Sequence, residues 1–341
     1  MAVDANANET YDQSVIYEDL QDAYTMLSPE ETPFVTAVRT ETASNTLFEW
    51  PVVELAAVNY GNREAEGEES LASDAPTNAL RLSNYTQISD KVAKVTHTSQ
   101  AVNSAAMNVQ RIAKQVVLKM KELKRDMEGM ALDNIAATAG SSGTARQSAG
   151  LPAFLRTNTV FETGGSDPTL SATTEGFPNA AAGAASENAG SSVVFAEADL
   201  NSVIEQIWTE GGTPSIIMCN SGNKRRISSA FTGNSTRYKD AIDKKLVNSI
   251  DFYDSDFGEL TVVPNRFMRT NNPGEGENDD SFNVFVLDPE YAAIAYLDPV
   301  QQKPLAETGH AVSRLIWCEW GLQVDNEKAH GVIRDTTNLL T

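Results

Sequence analysis

The chain has 341 residues, with 26 Lys and Arg against 47 Asp and Glu, a net charge of −21, and 41% apolar residues. That length corresponds to about two domains, and the apolar share suffices for an ordinary core, so the chain as a whole is not disordered. The acidity weighs against a protein that wraps nucleic acid or adheres to anionic membranes, since both tasks need a basic surface.

Residues 1–38 read as an arm. Met1–Thr10 has neither the basic start nor the apolar stretch of a signal peptide. Eight acidic residues precede the first basic one, Arg39. Val15–Leu20 and Tyr24–Leu27 predict a short amphipathic helix, which Ser28 and Pro29 interrupt and cap, with Pro33 ending the following turn. So acidic and weakly apolar a segment does not fold alone and is expected to lie on another surface, such as another chain.

Residues 39–97 read as two strands flanking a projecting loop. Thr46–Val53 and Gln87–His97 alternate in strand fashion, and Asn59–Asn78 between them is polar and rich in Gly, Glu and Ala. A loop of that length inside a compact domain is usually functional.

Residues 98–193 hold the strongest period. Val102, Val109, Val116, Leu123 and Met130 recur every seventh position, with Ala106, Ala113, Met120 and Met127 four residues after the first four. The stripe predicts one helix over about 99–137, about 35 residues and about 50 Å long, ended by Gly140–Gly143. Its other faces carry Arg111, Lys114, Lys119, Lys121, Lys124 and Arg125, the only clearly basic region. Residues 155–192, rich in Ala, Gly and Ser, lack a period and read as an insertion.

Residues 194–280 read as a small α/β domain: a helix from near Ala198 closed by Gly211-Gly212, a strand at Ser215–Cys219, a helix from Lys224, and a strand at Leu260–Val263. Residues 281–341 supply late strands, Val284–Leu287 and Leu315–Val324, the latter carrying Trp317 and Trp320. Trp50 and these two tryptophans are expected as core or interface anchors.

Catalytic and metal motifs are missing. His97, His310 and His330 have no ligand partner at helical spacing and are expected on the surface or in strands. No nucleophile elbow, phosphate loop or dinucleotide fingerprint occurs. Asp251, Asp254, Asp256 and Glu259 miss the spacing of a calcium loop and predict a turn between strands. Cys219 and Cys318 are too few for a disulfide framework or zinc set, and are expected reduced, in or near the core. No apolar run approaches the ~20 residues of a membrane span. No enzyme, no cofactor and no metal are expected. An arm and a loop without a home in their own subunit imply a home on neighbours.

The order of these parts resembles the tailed-bacteriophage major capsid family, whose fold is typified by phage Hong Kong 97 and shared with encapsulins. Tyr17-Glu18-Asp19-Leu20, Ser28–Phe34, Glu49-Trp50, Asn84–Ile88 and Glu122–Glu128 carry the resemblance in the first half. Asp254–Gly258, Val262–Arg266, Leu287-Asp288-Pro289, Leu305–His310 and Val324–Gly331 carry it in the second. The resemblance implies an α+β Hong Kong 97-like fold. Its parts would be an N-arm, an E-loop lying over an adjacent subunit, a peripheral domain with a long spine helix, and an axial α/β domain meeting its copies around five-fold and six-fold axes. It further implies a structural protein of a tailed double-stranded DNA phage, assembled in the host cytoplasm. Hexamers and pentamers would close into an icosahedral head around DNA held without sequence-specific binding. A portal and, since little chain precedes Tyr11, a separate scaffolding protein are the expected partners, and no membrane is. An encapsulin-like compartment, a helically polymerising virion component and an acidic intracellular hydrolase are the competing readings.

Three residue-level expectations follow. Asp12, Glu18, Asp19 and Asp22 of the arm are expected to face Lys114, Lys121, Lys124 or Arg125 of a neighbour. Arg63, among Glu64 and Glu66 of the loop, is expected either to bridge subunits or to belong to a solvated loop. Trp50 to Asp90 contains no lysine, so no E-loop lysine cross-link is expected.

Overall fold

A computed structural model of the chain describes residues 27–63, 66–67, 76–77, 79–102, 111–161, 165–168, 194–231, 239–240, 245–246, 251–269, 281–307 and 309–337. The arm residues Asp12, Glu18, Asp19 and Asp22, the loop residue Glu64, and most of 155–192 lie outside them.

The first described helix, α1 (Pro33–Ala37), begins with Pro33 at its first turn. The sequence reading has Pro33 ending a turn; it starts one, because proline's fixed φ suits a first helical position and its missing N–H is no loss there. Strand β1 (Arg39–Thr42) follows. Strands β2 (Leu47–Val52) and β3 (Leu80–Tyr85) pair antiparallel, Leu47 opposite Tyr85 and Val52 opposite Leu80. The expected returning strand, Gln87–His97, is therefore not the partner of β2. That segment is β4 (Gln87–Thr96) and belongs to another sheet. The true return, Leu80-Arg81-Leu82-Ser83-Asn84-Tyr85, hides at the polar end of the loop and was not read as a strand.

The long helix is shorter than its period suggests. Helix α2 (His97–Ala101) stops at Val102, whose backbone is extended, and α3 (Ile112–Leu132) begins after an extended Arg111. Helix α3 has 21 residues, about 31 Å. It ends at Asp133-Asn134, not at Gly140. The Asp133 carboxylate accepts the Asn134 N–H at 3.0 Å, the local bonding by which Asp and Asn compete with helix. Gly140 instead takes positive φ in a small hairpin joined at Thr138–Gln147 and Ser141–Thr144. Within α3 the stripe does face inward: Val116, Leu123 and Met127 are buried.

Helix α3 packs on a four-stranded sheet of order β1-β12-β13-β4, where β12 is Ala292–Pro304 and β13 is Ala311–Val324. Alternation along β13 sends Ile316, Cys318, Trp320 and Leu322 into the core shared with α3.

A second sheet has the order β5-β14-β11-β6-β10-β9. Its strands are β5 (Thr159–Val160), β6 (Ile216–Cys219), β9 (Phe252–Ser255), β10 (Gly258–Pro264), β11 (Ser281–Leu287) and β14 (Gly331–Thr337). Helix α4 (Glu197–Thr209) lays Leu200, Val203, Ile204 and Ile207 onto it, a 3–4 spacing on one face. Gly211, at positive φ, follows the end of α4. Helix α5 (Ser221–Ala230) is capped by Asn220, which accepts the Asn223 N–H. Asp254 and Asp256 sit at the β9–β10 hairpin, the expected turn between strands. Strands β7 (Lys239–Asp240) and β8 (Lys245–Leu246) form a separate ladder. Both cysteines are buried and free.

Candidate functional site: assembly surfaces

Three places tie the elements together and decide what the surface offers. The first is the root of the β2–β3 hairpin. Asn84 is fully buried with all its polar capacity used: it donates to Ser148 Oγ and Leu322 O, and accepts from the Tyr85 and Ala149 N–H groups. Trp50 donates its indole N–H to Val324 O at 2.8 Å and stacks on Phe48. Phe48 packs against Gly321, where an added Cβ would come within 2.6 Å of its ring.

Beyond this fixed root the loop exposes a run of large apolar side chains. Leu55 is 91%, Val58 73% and Tyr60 92% exposed. A run of this kind marks an interaction surface rather than ordinary surface scatter. Arg63 and Glu66 are exposed in the same loop.

The second place is the connector between β13 and β14, residues 325–330, which crosses from one sheet to the other. Arg39 pairs with Asp325. Glu327 accepts the Arg156 and Thr157 N–H groups. Lys328 sits 3.0 Å from both Glu54, just past β2, and Glu210, at the end of α4. The Glu210 and Glu54 hydrogen bonds push its ammonium pKa up. His330 is not a surface or strand residue, as the sequence reading had it. It is buried, its Nδ1 accepting the Asp288 N–H and its Nε2 facing Tyr291 O, both at 3.3 Å. Burial depresses its pKa to about 4. No local pattern around a lone histidine announces this role.

The third place is where the base of the arm meets α3. Glu30 pairs with Lys121 and Thr36 Oγ1 accepts from Lys124, at 3.2 Å. Arg125 stacks over the Phe267 ring at 5.2 Å. So Lys121, Lys124 and Arg125 all have contacts inside their own chain, and the base of the arm lies on its own α3. Lys114 lies half-buried on the same helix.

Beneath this contact Glu128 is fully buried. Its Oε1 accepts the Phe34 N–H at 2.8 Å and the Asn265 amide at 2.6 Å, and its Oε2 accepts the Val35 N–H at 2.7 Å. These two backbone groups open α1 and have no partner within it, and Thr32, the residue before, makes no side-chain cap. Burial raises the carboxyl pKa, against the lowering pull of these three bonds and of Lys124. Sequence reasoning missed Glu128. The available signal was a carboxylate set beside Leu123, Met127 and Ala131 on the apolar face of a helix.

Buried Arg334 donates to Leu155 O and pairs with Asp167 at 2.8 Å, fixing the two ends of the described part of the insertion. Among the described residues no helix is long and apolar enough to cross a membrane. Among them, too, no group of three His, Cys, Asp or Glu side chains is placed to hold a metal ion.

The comparisons agree with one another. A family model described as SU10 major capsid protein matches residues 4–337. A major capsid protein of Escherichia phage Phieco32 is 24% identical over 95% of this chain and 95% of its own. A solved chain of Mycobacterium phage Adephagia superimposes with a TM-score of 0.58 at 12% identity, over 99% of this chain and all of that one. The holo-SrpI encapsulin complex of Synechococcus elongatus PCC 7942 follows at a TM-score of 0.52 and 10% identity, over 93% of this chain and 94% of that one. At such identities the solved structures establish a shared fold, the Hong Kong 97-type capsid fold.

Proposed function

The chain belongs to the SU10 major capsid protein family and is a phage major capsid protein, and from that premise we propose that its hexamers and pentamers close into the icosahedral head of a tailed phage. The observation that carries this reading is the β2–β3 hairpin: a root locked by Asn84 and Trp50, and a loop whose Leu55, Val58 and Tyr60 face solvent in the single chain. A rigid base under an exposed apolar run is built to cover another surface, and in a shell of identical subunits that surface belongs to a copy. Residues 39–97 thus act as the E-loop with its flanking strands, with Arg63, Glu64 and Glu66 at the contact. Helix α3 is the spine of the peripheral domain (98–193). Residues 194–280 form the axial domain, and the late strands (281–341) run through both sheets.

The arm adds a second contact. Asp12, Glu18, Asp19 and Asp22 carry charge opposite to Lys114, Lys121, Lys124 and Arg125, and each subunit would present its arm to a neighbour's basic helix face. Because Lys121 already holds Glu30, the remaining attraction per pair is small, roughly 0–1 kcal/mol, and becomes significant by repetition over many copies. In this reading the partners are copies of the chain, a portal, a separate scaffolding protein and double-stranded DNA. The acidic surface keeps that DNA from adhering. Assembly takes place in the host cytoplasm.

Negative-stain microscopy beside light scattering, on the full chain expressed with its phage's assembly genes, tests this reading. Closed DNA-filled shells are expected. Tubes would point to a helical virion component, and shells filled with protein cargo to an encapsulin-like compartment; either overturns the proposal.

A further inference from the structure

The junction under the arm has a chemistry of its own. Among the described residues Glu128 is the acceptor for two N–H groups of α1, and it also accepts from Asn265, which follows β10, so one carboxylate joins the arm's base, α3 and the second sheet. Asn265 is itself buried, and its Oδ1 accepts the Phe267 N–H at 2.9 Å, which fixes the direction of its amide. All three groups around the carboxylate are donors. We propose that Glu128 is an acid-operated latch: ionised, it clamps α1 to α3, and on taking up a proton it releases α1 and with it the exit of the arm.

The reason is geometric. A protonated carboxyl carries an O–H, and the site offers that hydrogen no acceptor among Phe34 N–H, Val35 N–H and the Asn265 amide. Either that hydrogen or one of the buried donors is then left without a partner, which is the costly case for hydrogen bonds. Helix α1 is the piece that gives way, because it has only five residues and no side-chain cap from Thr32, with Phe34 as its one buried core anchor. The proton favours release because the carboxyl, still buried on α3 once α1 has moved, has lost the Phe34 and Val35 N–H bonds that pull its pKa down.

The charged groups around Glu128 have other partners or face solvent, apart from Lys124. Lys124 faces it from α3 and favours ionisation. Arg125 is turned onto Phe267, Asp126 is held by Lys91, and Glu30 by Lys121. Helix α1 carries no charge, and Glu31 and Arg266 are exposed.

Amide hydrogen exchange on the full-length chain, corrected for intrinsic rates, tests the latch. Protection at Phe34 and Val35 should fall by about tenfold or more between about pH 7.5 and about pH 4.5, while the core of β13 stays protected. Glu128→Gln is uncharged and places an amide N–H₂ against the same donors, so it should show the low protection at every pH. Exposed Lys124→Met, which leaves the core untouched, should move the midpoint of the wild-type profile to higher pH. Flat wild-type protection, wild-type protection in Glu128→Gln, or an unmoved midpoint in Lys124→Met would each overturn the proposal. If Glu128→Gln does not fold, the Lys124→Met midpoint still decides.

Discussion

Glu128 and Asn265 lie 137 positions apart in sequence and 2.6 Å apart in the fold. The bond joins α3, which packs on the four-stranded sheet, to the end of β10 in the six-stranded one. The same carboxylate oxygen takes the Phe34 N–H, so the two sheets and the arm meet at a single atom. Removing the acceptor should cost far more than removing one donor. Glu128→Ala leaves two backbone N–H groups and one amide buried without partners, at about 1–3 kcal/mol each, whereas Asn265→Ala leaves the carboxylate with two of its three bonds. Urea denaturation should therefore show a loss of roughly 3 kcal/mol or more for Glu128→Ala and a markedly smaller one for Asn265→Ala. Equal losses would mean that the backbone contacts of α1 contribute nothing.

His330 gives the fold a second acid sensitivity, separate from that of Glu128. Its folded pKa of about 4 lies below the ordinary 6.5, so the folded state binds fewer protons than the unfolded one between those values. The stability this group contributes is complete above about pH 6.5. It is lost as pH falls towards 4, by about 3 kcal/mol in all at about 1.4 kcal/mol per pH unit. Asp288, whose pKa is raised by burial, acts in the other direction over the acid range. The informative quantity is therefore the difference between wild type and His330→Gln. Wild type should lose more stability than the variant between pH 7 and pH 4. Parallel curves would show that the imidazole does not titrate in this window.

What the sequence made legible follows physical range. Periodic burial is local, so the inward face of α3, the face of α4 and the strands at Ile216–Cys219, Gly258–Pro264 and Ser281–Leu287 could be read from spacing. The extent of α3 could not, because an apolar period of seven says which face is buried and not whether Arg111 stays helical. The pairing of β2 with β3 escaped because β3 is polar at its root, Ser83-Asn84, and its one telling residue, Asn84, acts through contacts with Ser148 and Leu322. The junction residues Glu128, Lys328 and His330 are legible only once three separate stretches of chain are brought together.

Lys328 should govern the mobility of the loop more than the stability of the fold. Its two ion pairs are partly exposed, with side-chain exposure of 27% for the lysine and 39% and 36% for Glu54 and Glu210. Such pairs contribute about 0–1 kcal/mol each. Lys328→Met should thus leave the unfolding midpoint nearly unchanged while backbone amides from Val53 to Tyr60 exchange faster. High salt should speed the same amides in wild type and have little effect in the variant. If the variant and wild type respond to salt alike, the loop is not restrained by this lysine.

Covalent welding through the E-loop should not occur. A lysine that cross-links from this loop must lie near its exposed part, and Trp50 to Asp90 contains none. The first lysine after that stretch, Lys91, is in β4, and its Nζ is engaged by Asp126 on α3. It is thus held against α3 of its own chain by a contact that the apolar packing of Ala93, Leu123 and Met127 reinforces. Reaching a neighbour would require breaking that pair and carrying an ammonium across the sheet. Mature particles dissolved in denaturant should therefore run as single chains on a gel. A ladder of covalent multimers would show that another lysine and another surface do the joining, and Lys91→Arg should then leave the ladder intact.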